Sequence, residues 1–207
     1  MRVLALAALV LLALAVPARA EPLTILVLGD SITAGLGLDA SQAYPARLET
    51  ELREKGHDIR IVNGGVSGDT MADGLARLDW SLTPEVGAVI VALGANDALR
   101  GVAPAVTEKS LDAILARLGA GRLPVLLAGL KAPRNLGEDY AEAYDGLFSR
   151  QAERHGALYY PFLLDGVASD AGLNQPDGIH PNADGAAVIA RRLLPSAEAL
   201  IARAGGK

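Results

Sequence analysis

The chain has 207 residues, 51% of them hydrophobic and 21% charged, with no cysteine and a formal charge of -5. That length suits one domain with a substantial core, and the acidic balance argues against nucleic acid or an anionic membrane as the main partner. Without cysteine there is no disulfide framework, no thiolate nucleophile and no Cys-ligated zinc or iron–sulfur site.

The N-terminus reads Met1-Arg2, an apolar run over residues 3–16, then Pro17-Ala18-Arg19-Ala20. A positive start, a short apolar stretch and a small-x-small end have the form of an export leader. The run is shorter than the roughly 20 residues a membrane span needs. Cleavage is expected after Ala20, leaving residues 21–207 as a single exported domain, periplasmic or secreted, with no integral membrane segment. From there apolar strands and amphipathic helices alternate. Residues 23–28 (LTILVL) form a continuous apolar run of the kind buried on both faces of a parallel sheet. A helix over 42–55 follows, with Tyr44, Leu48 and Leu52 at four-residue steps and Gly56 as its stop. A second strand covers 59–62, a helix 70–82 with Leu75 and Leu78 on one face, and a third strand 86–93. The pattern continues with a helix over 107–118, a strand over 123–128, a helix over 136–155, a weak strand over 157–160 and a closing helix over 183–204. Such alternation calls for an α/β fold, a parallel sheet with helices on both faces.

Ligands of such sheets bind outside the carboxyl ends of the strands. Four polar clusters fall there: Gly29-Asp30-Ser31-Ile32-Thr33, Ser67-Gly68-Asp69-Thr70, Gly94-Ala95-Asn96-Asp97, and Asp177-Gly178-Ile179-His180-Pro181-Asn182 before the last helix. Of the three histidines, His57 and His155 sit beside Gly56 and Gly156 at helix C-termini, where a cation and a glycine cap are both favourable. His180 instead lies in a turn-rich loop three residues after Asp177, a spacing that lets the carboxylate orient the imidazole. Two serines compete as its partner. Ser31 follows a buried strand directly; Ser67 sits in Gly65-Val66-Ser67-Gly68-Asp69, which departs from a nucleophile elbow at Asp69. Taken alone, Ser31 also reads as a turn or N-cap serine, and Ser67 as a cap for the following helix. A metal site built from Asp30, Asp97, Asp177 and His180, serving a metal-dependent phosphoester hydrolase, stays open at this point, as does a non-catalytic ligand-binding module. Asp30 and Asp97 otherwise suit bracing of the turns, and Trp80 a core anchor. Residues 99–102 and 131–135 are candidate walls for a substrate pocket. The glycines at 35 and 37 start too far beyond the strand for a dinucleotide fingerprint.

Together, GDSIT, SGDT, GAND and DGIHPN, in that order across the chain, resemble the four blocks of the SGNH, or GDSL, hydrolase superfamily. The stretches VNGGVSGDT, LDWSL and ALGANDALRG are most similar to its small secreted bacterial arylesterase and thioesterase/lysophospholipase branch, with Gly64 and Ala95 as slight departures. The resemblance implies a three-layer αβα sandwich on a flavodoxin-like five-stranded sheet of order 2-1-3-4-5. It implies Ser31 as nucleophile, His180 as base and acid, and Asp177 as the residue that orients His180. The oxyanion hole would comprise the Ser31 and Gly68 backbone N–H groups and the Asn96 side chain. It implies a small-molecule or lipid ester as substrate and neither cofactor nor metal; the oligomeric state stays open, with a monomer as the expectation. With strand one between strands two and three, the Gly68 loop and Asn96 are expected on either side of Ser31.

Overall fold

The computed structural model describes residues 21–205; the expected leader, 1–20, lies outside them. Five strands, β1 (Leu23–Gly29), β2 (Ile59–Gly65), β3 (Val86–Ala92), β4 (Val125–Ala128) and β5 (Leu158–Tyr160), form one sheet. All pairings are parallel and the order is β2-β1-β3-β4-β5. The apolar runs of β1, β3 and β4 occupy the middle, and their side chains are buried almost throughout.

Among the described residues eight α-helices surround the sheet: α1 (Ser31–Ala34), α2 (Tyr44–Glu54), α3 (Met71–Ala76), α4 (Leu78–Ser81), α5 (Ala95–Leu99), α6 (Pro104–Ala120), α7 (Glu138–His155) and α8 (Ala183–Arg203). One layer pairs α2 with α8; the other pairs α6 with α7 and α3. Tyr44, Leu48 and Leu52 form the buried stripe of α2, as their spacing requires, and Leu111, Ile114, Leu115 and Leu118 that of α6. Truncating one such leucine to alanine costs about 2–5 kcal/mol in a close-packed core.

Departures from the sequence reading cluster near the strand ends. The helix expected over 70–82 is two pieces. Thr70 and Asp73 start α3 with a reciprocal capping box, and Arg77 leaves helical geometry before α4. Ser67 is not the cap. Trp80 is not a core anchor but 88% exposed. In the single turn of α4, Leu78 takes the inward position, which turns a residue two places on toward solvent. The helix around 107–118 begins earlier, at Pro104, a residue suited to the first turn. Residues 134–136 form a separate 3-10 turn, and Gly137 at φ +94° breaks it from α7.

The register positions the site. Gly29 of β1 pairs with Gly65 of β2 and Ala92 of β3, so three strands end level and release their loops side by side. A methyl group at Gly65 would lie 2.2 Å from the Ala34 backbone nitrogen, which is why the end of β2 tolerates no side chain where α1 packs on it.

Candidate active site

At the end of β1 the chain turns abruptly into α1. A Cβ at Gly29 would sit 2.0 Å from the Thr33 hydroxyl, so the turn closes only around glycine. Asp30 follows, 1% exposed, and one of its carboxylate oxygens accepts the Ile32 N–H at 3.0 Å as an N-cap. Its other oxygen is buried and has no partner among the described residues. Burial pushes the Asp30 carboxyl up to about 6, against the pull of the Ile32 N–H and of His180. Thr33 is held from two sides, its hydroxyl 2.9 Å from Tyr44 Oη and its carbonyl accepting from Asn63 Nδ2 at 2.8 Å. Ser31 is thereby fixed as the first residue of α1.

His180 Nε2 lies 2.9 Å from Ser31 Oγ, and its Nδ1 lies 2.6 Å from Asp177 Oδ2. With Nδ1–H donating to the carboxylate, the Nε2 lone pair faces the serine hydroxyl. The second oxygen of Asp177 accepts the Ile179 and His180 N–H groups at 2.9 and 3.0 Å. Hydrogen bonds from the His180 backbone, the His180 ring and the Ile179 backbone hold its carboxyl down to about 2, and its solvent exposure likewise favours the ionised form. The loop itself is tied down. Asn182 caps α8 through Asp184 N and Gly185 N, and Gln175 Nε2 donates to Leu36 O at 2.7 Å, joining this loop to the one that follows Ser31.

Gly68 and Asn96 approach from either side. Gly68 has φ +90°, a conformation that favours glycine, and its N–H has no acceptor among the described residues. Its carbonyl accepts from Arg100 Nη2 at 2.9 Å. Asn96 Nδ2 spends one hydrogen on the Asp69 carbonyl at 2.9 Å and keeps a second for a ligand. Arg77 joins both loops, with Nε on Asp69 Oδ2 at 2.6 Å and Nη2 on Gly29 O at 2.9 Å. These bonds leave the Gly68 N–H without a protein acceptor among the described residues and Asn96 with a spare amide hydrogen, on the two loops that follow the neighbours of β1.

Asp30 and Asp97 brace the turns. Asp97 accepts the Met71 N–H at 2.8 Å and the Thr107 hydroxyl at 3.0 Å, so its carboxylate is committed beneath the rim. No group of three or more metal-ligating side chains forms among the described residues, so Asp30, Asp97, Asp177 and His180 are not assembled as a metal site. His57 and His155 lie on carboxylates of other helices, Glu198 at 3.4 Å and Asp112 at 2.7 Å.

A cavity of about 400 Å³ opens on the β3–β4 side, reached by Ile32 and Ile179, the sequence neighbours of Ser31 and His180, while Ser31 and His180 themselves line a separate small pocket with Leu36, Leu38 and Tyr44. Ile32, Ala95, Leu99, Leu130, Phe162 and Ile179 supply its apolar wall. Of the two expected wall segments, residues 131–134 line it, whereas Leu99 is the sole contributor from 99–102. The sequence reading missed the stretch after β5 that brings Phe162, Leu164 and Ala168, and it missed Arg77; Arg100, expected as part of the wall segment 99–102, instead holds the Gly68 carbonyl. Only the Gly-Asp and Asn-Asp blocks flanking them hinted at a need for braces.

Residues 27–188 match the GDSL-like Lipase/Acylhydrolase family. The chain belongs to that family. Over 164 residues, 79% of this chain and 82% of the other, it is 44% identical to Esterase TesA of Pseudomonas aeruginosa. It is 37% identical over 179 residues to Thioesterase 1/protease 1/lysophospholipase L1 of Escherichia coli, covering 86% of this chain and 85% of that one. The crystal structure of AlinE4, a SGNH-hydrolase family esterase, superposes with a TM-score of 0.75 at 42% identity, covering 88% of this chain and 98% of that one. The protein is therefore a carboxylic ester hydrolase on the SGNH fold, and the matched range spans all four blocks of the sequence.

Proposed function

We propose that this GDSL-family member is a serine esterase working through a Ser31–His180–Asp177 triad and an acyl-enzyme. The observation that carries the reading is the unbroken hydrogen-bond chain from Ser31 Oγ to His180 Nε2 at 2.9 Å and from Nδ1 to Asp177 at 2.6 Å. His180 takes the hydroxyl proton as Ser31 Oγ attacks the acyl carbon. The tetrahedral oxyanion is held by the Ser31 and Gly68 N–H groups and the free Asn96 amide hydrogen. Asp177, ionised far below neutral pH, stabilises the imidazolium that forms. His180 then returns the proton to the departing alkoxide or thiolate, and water repeats the sequence to release the acid. Asp69, Arg77 and Asp97 hold these groups in place.

The apolar cavity of about 400 Å³ lined by Ile32 and Ile179, next in sequence to Ser31 and His180, suits a short to medium acyl chain. Aryl esters, other small carboxylic esters and acyl thioesters share the reacting carbonyl, and the relatives' printed names, esterase, thioesterase and arylesterase, support this range. The N-terminal sequence supports export to the periplasm or beyond, with cleavage after Ala20.

A fluorophosphonate probe tests the reading. Labelling that survives EDTA and vanishes in Ser31→Ala is the expected result. Ester hydrolysis that persists in Ser31→Ala, or that requires added divalent metal, would overturn it.

A further inference from the structure

Helix α5 carries Asn96 but is only five residues long, too short to hold its own direction. Gly94 precedes it at φ +120° and offers no side-chain cap. What stands behind it is α7. Tyr144, fully buried on that helix, donates its hydroxyl to the Gly94 carbonyl at 2.5 Å. Four residues earlier, Tyr140 donates to the Val102 carbonyl at 2.8 Å, just beyond the end of α5. The two rings stack with centroids 5.7 Å apart and planes 12° from parallel, and Phe148 meets Tyr144 edge-on one turn further. Residues four apart share a helix face, so α7 turns one aromatic row toward this segment, with a hydroxyl at each end of it. A methyl group at Gly94 would lie 2.7 Å from Tyr144 Oη and 3.2 Å from Phe148 Cζ, so the peptide group that starts α5 rests directly on the row. Burial pushes the Tyr144 phenol up, so it stays protonated and keeps donating.

Asp97 fixes the middle of the segment through the Met71 N–H and the Thr107 hydroxyl, which leaves its ends to the tyrosines. We propose that Tyr140 and Tyr144 are positioning residues for Asn96: by pinning the carbonyls before and after α5 they set where its amide stands, and hence how much it stabilises the oxyanion. A preorganised donor is worth its full effect only at the right place, and a displacement of about 1 Å forfeits much of it. The same helix gives Ala95, Ala98 and Leu99 to the wall of the 400 Å³ cavity, so donor and wall are held as one unit.

The inference rests on the serine-esterase reading and its use of Asn96, and the experiment separates them. Values of kcat and KM on 4-nitrophenyl butyrate are measured for the wild type, Tyr144→Phe, Tyr140→Phe, Asn96→Ala, Ser31→Ala and the two doubles that join each tyrosine change to Asn96→Ala. Tyr144→Phe removes one oxygen and keeps the ring. It is expected to lower kcat about 5- to 20-fold, part of the worth of a whole oxyanion donor, with KM within about two-fold. Tyr140→Phe, at the far end of the segment, is expected to cost about 2- to 5-fold in kcat. In the Asn96→Ala background each tyrosine change should alter kcat by less than about two-fold, because the group it positions is gone. Leu147→Ala, which empties a buried site on the same helix, is the stability control, and it should lower Tm and leave kcat unchanged. An equal fall in both backgrounds, wild-type kcat in Tyr144→Phe, or a loss in Leu147→Ala that matches Tyr144→Phe overturns the positioning role. If Tyr144→Phe does not fold, the Tyr140→Phe cycle decides by the same criteria. Unchanged kcat in Asn96→Ala, or turnover in Ser31→Ala, overturns the reading on which the inference rests, and the inference with it.

Discussion

Asp30 makes the protein less stable at neutral pH than it need be. Its carboxyl is held at about 6 instead of 3.8 because burial disfavours the charged form more than the Ile32 N–H stabilises it. Keeping it ionised above pH 7 therefore costs about 3 kcal/mol relative to the unfolded chain. The folded state binds the extra proton between the two values, so stability falls as pH rises through that window and is flat above it. Integrating the linkage, about 2 of those 3 kcal/mol are lost between pH 4.5 and 8. Asp30→Asn keeps an oxygen for the Ile32 N–H and cannot ionise. Its amide hydrogens enter the place of the unpartnered oxygen, a penalty that does not depend on pH and so leaves the slope unaffected. The stability difference between Asp30→Asn and wild type should shift by about 2 kcal/mol in favour of asparagine from pH 4.5 to 8, or roughly 4–8 °C in Tm. Urea unfolding followed by far-UV circular dichroism measures it, since the exposed Trp80 is a poor reporter. The same variant loses a negative charge that favours the His180 cation, so kcat/KM should fall as stability rises. A difference curve flat in pH would refute the claim that Asp30 is ionised at a cost.

Asn96→Ala should lower kcat on a short aryl ester by roughly 10²–10³, the usual loss for one oxyanion donor; a raised KM at unchanged kcat would assign Asn96 to binding alone. Asp177→Asn should cost up to about 10⁴ in kcat through loss of the tautomer and of the charge beside the imidazolium. Because the folded Asp177 carboxyl is held at about 2, its stabilising effect is present above pH 3.8 and fades as pH falls toward 2, and acid unfolding of Asp177→Asn should lack that step. Gly65→Ala must displace the Ala34 backbone, and a loss of about 1–3 kcal/mol together with reduced activity is expected from thermal melts and ester assays; wild-type behaviour would mean that the β2–α1 contact is not rigid.

The sheet was largely legible because β1, β3 and β4 are buried on both faces and therefore read as unbroken apolar runs. The long helices were legible from stripes such as Tyr44, Leu48 and Leu52. What escaped was short and set by tertiary contacts. A four- or five-residue helix such as α1 or α5 has no period to detect, and each is held by partners from distant segments: Asn63 and Tyr44 for Thr33, Tyr144 for the Gly94 carbonyl. The long helix expected over 70–82 failed at Arg77 for a related reason. That residue leaves the helix where its guanidinium reaches Asp69 and Gly29 O, contacts 8 and 48 residues away in sequence.

The site divides along the same line. Residues whose chemistry is in the side chain, Ser31, Asn96, Asp177 and His180, could be named from type and motif. Residues that act on backbone atoms of another loop could not, since nothing in a sequence says which carbonyl an arginine will find. Arg77 and Arg100 both close on such carbonyls, those of Gly29 and Gly68; Arg100 and Asn96 hold the peptide groups on either side of Asp69, and Arg77 holds its carboxylate. A catalytic block can thus keep every reacting side chain and still lose its oxyanion geometry through a change at either arginine. Arg77, partly buried, ties Asp69 and Ser81 to the Gly29 carbonyl, whereas Arg100 holds the Gly68 carbonyl alone, so a change at Arg77 should loosen the β1 and β2 loops together and one at Arg100 only the Gly68 loop.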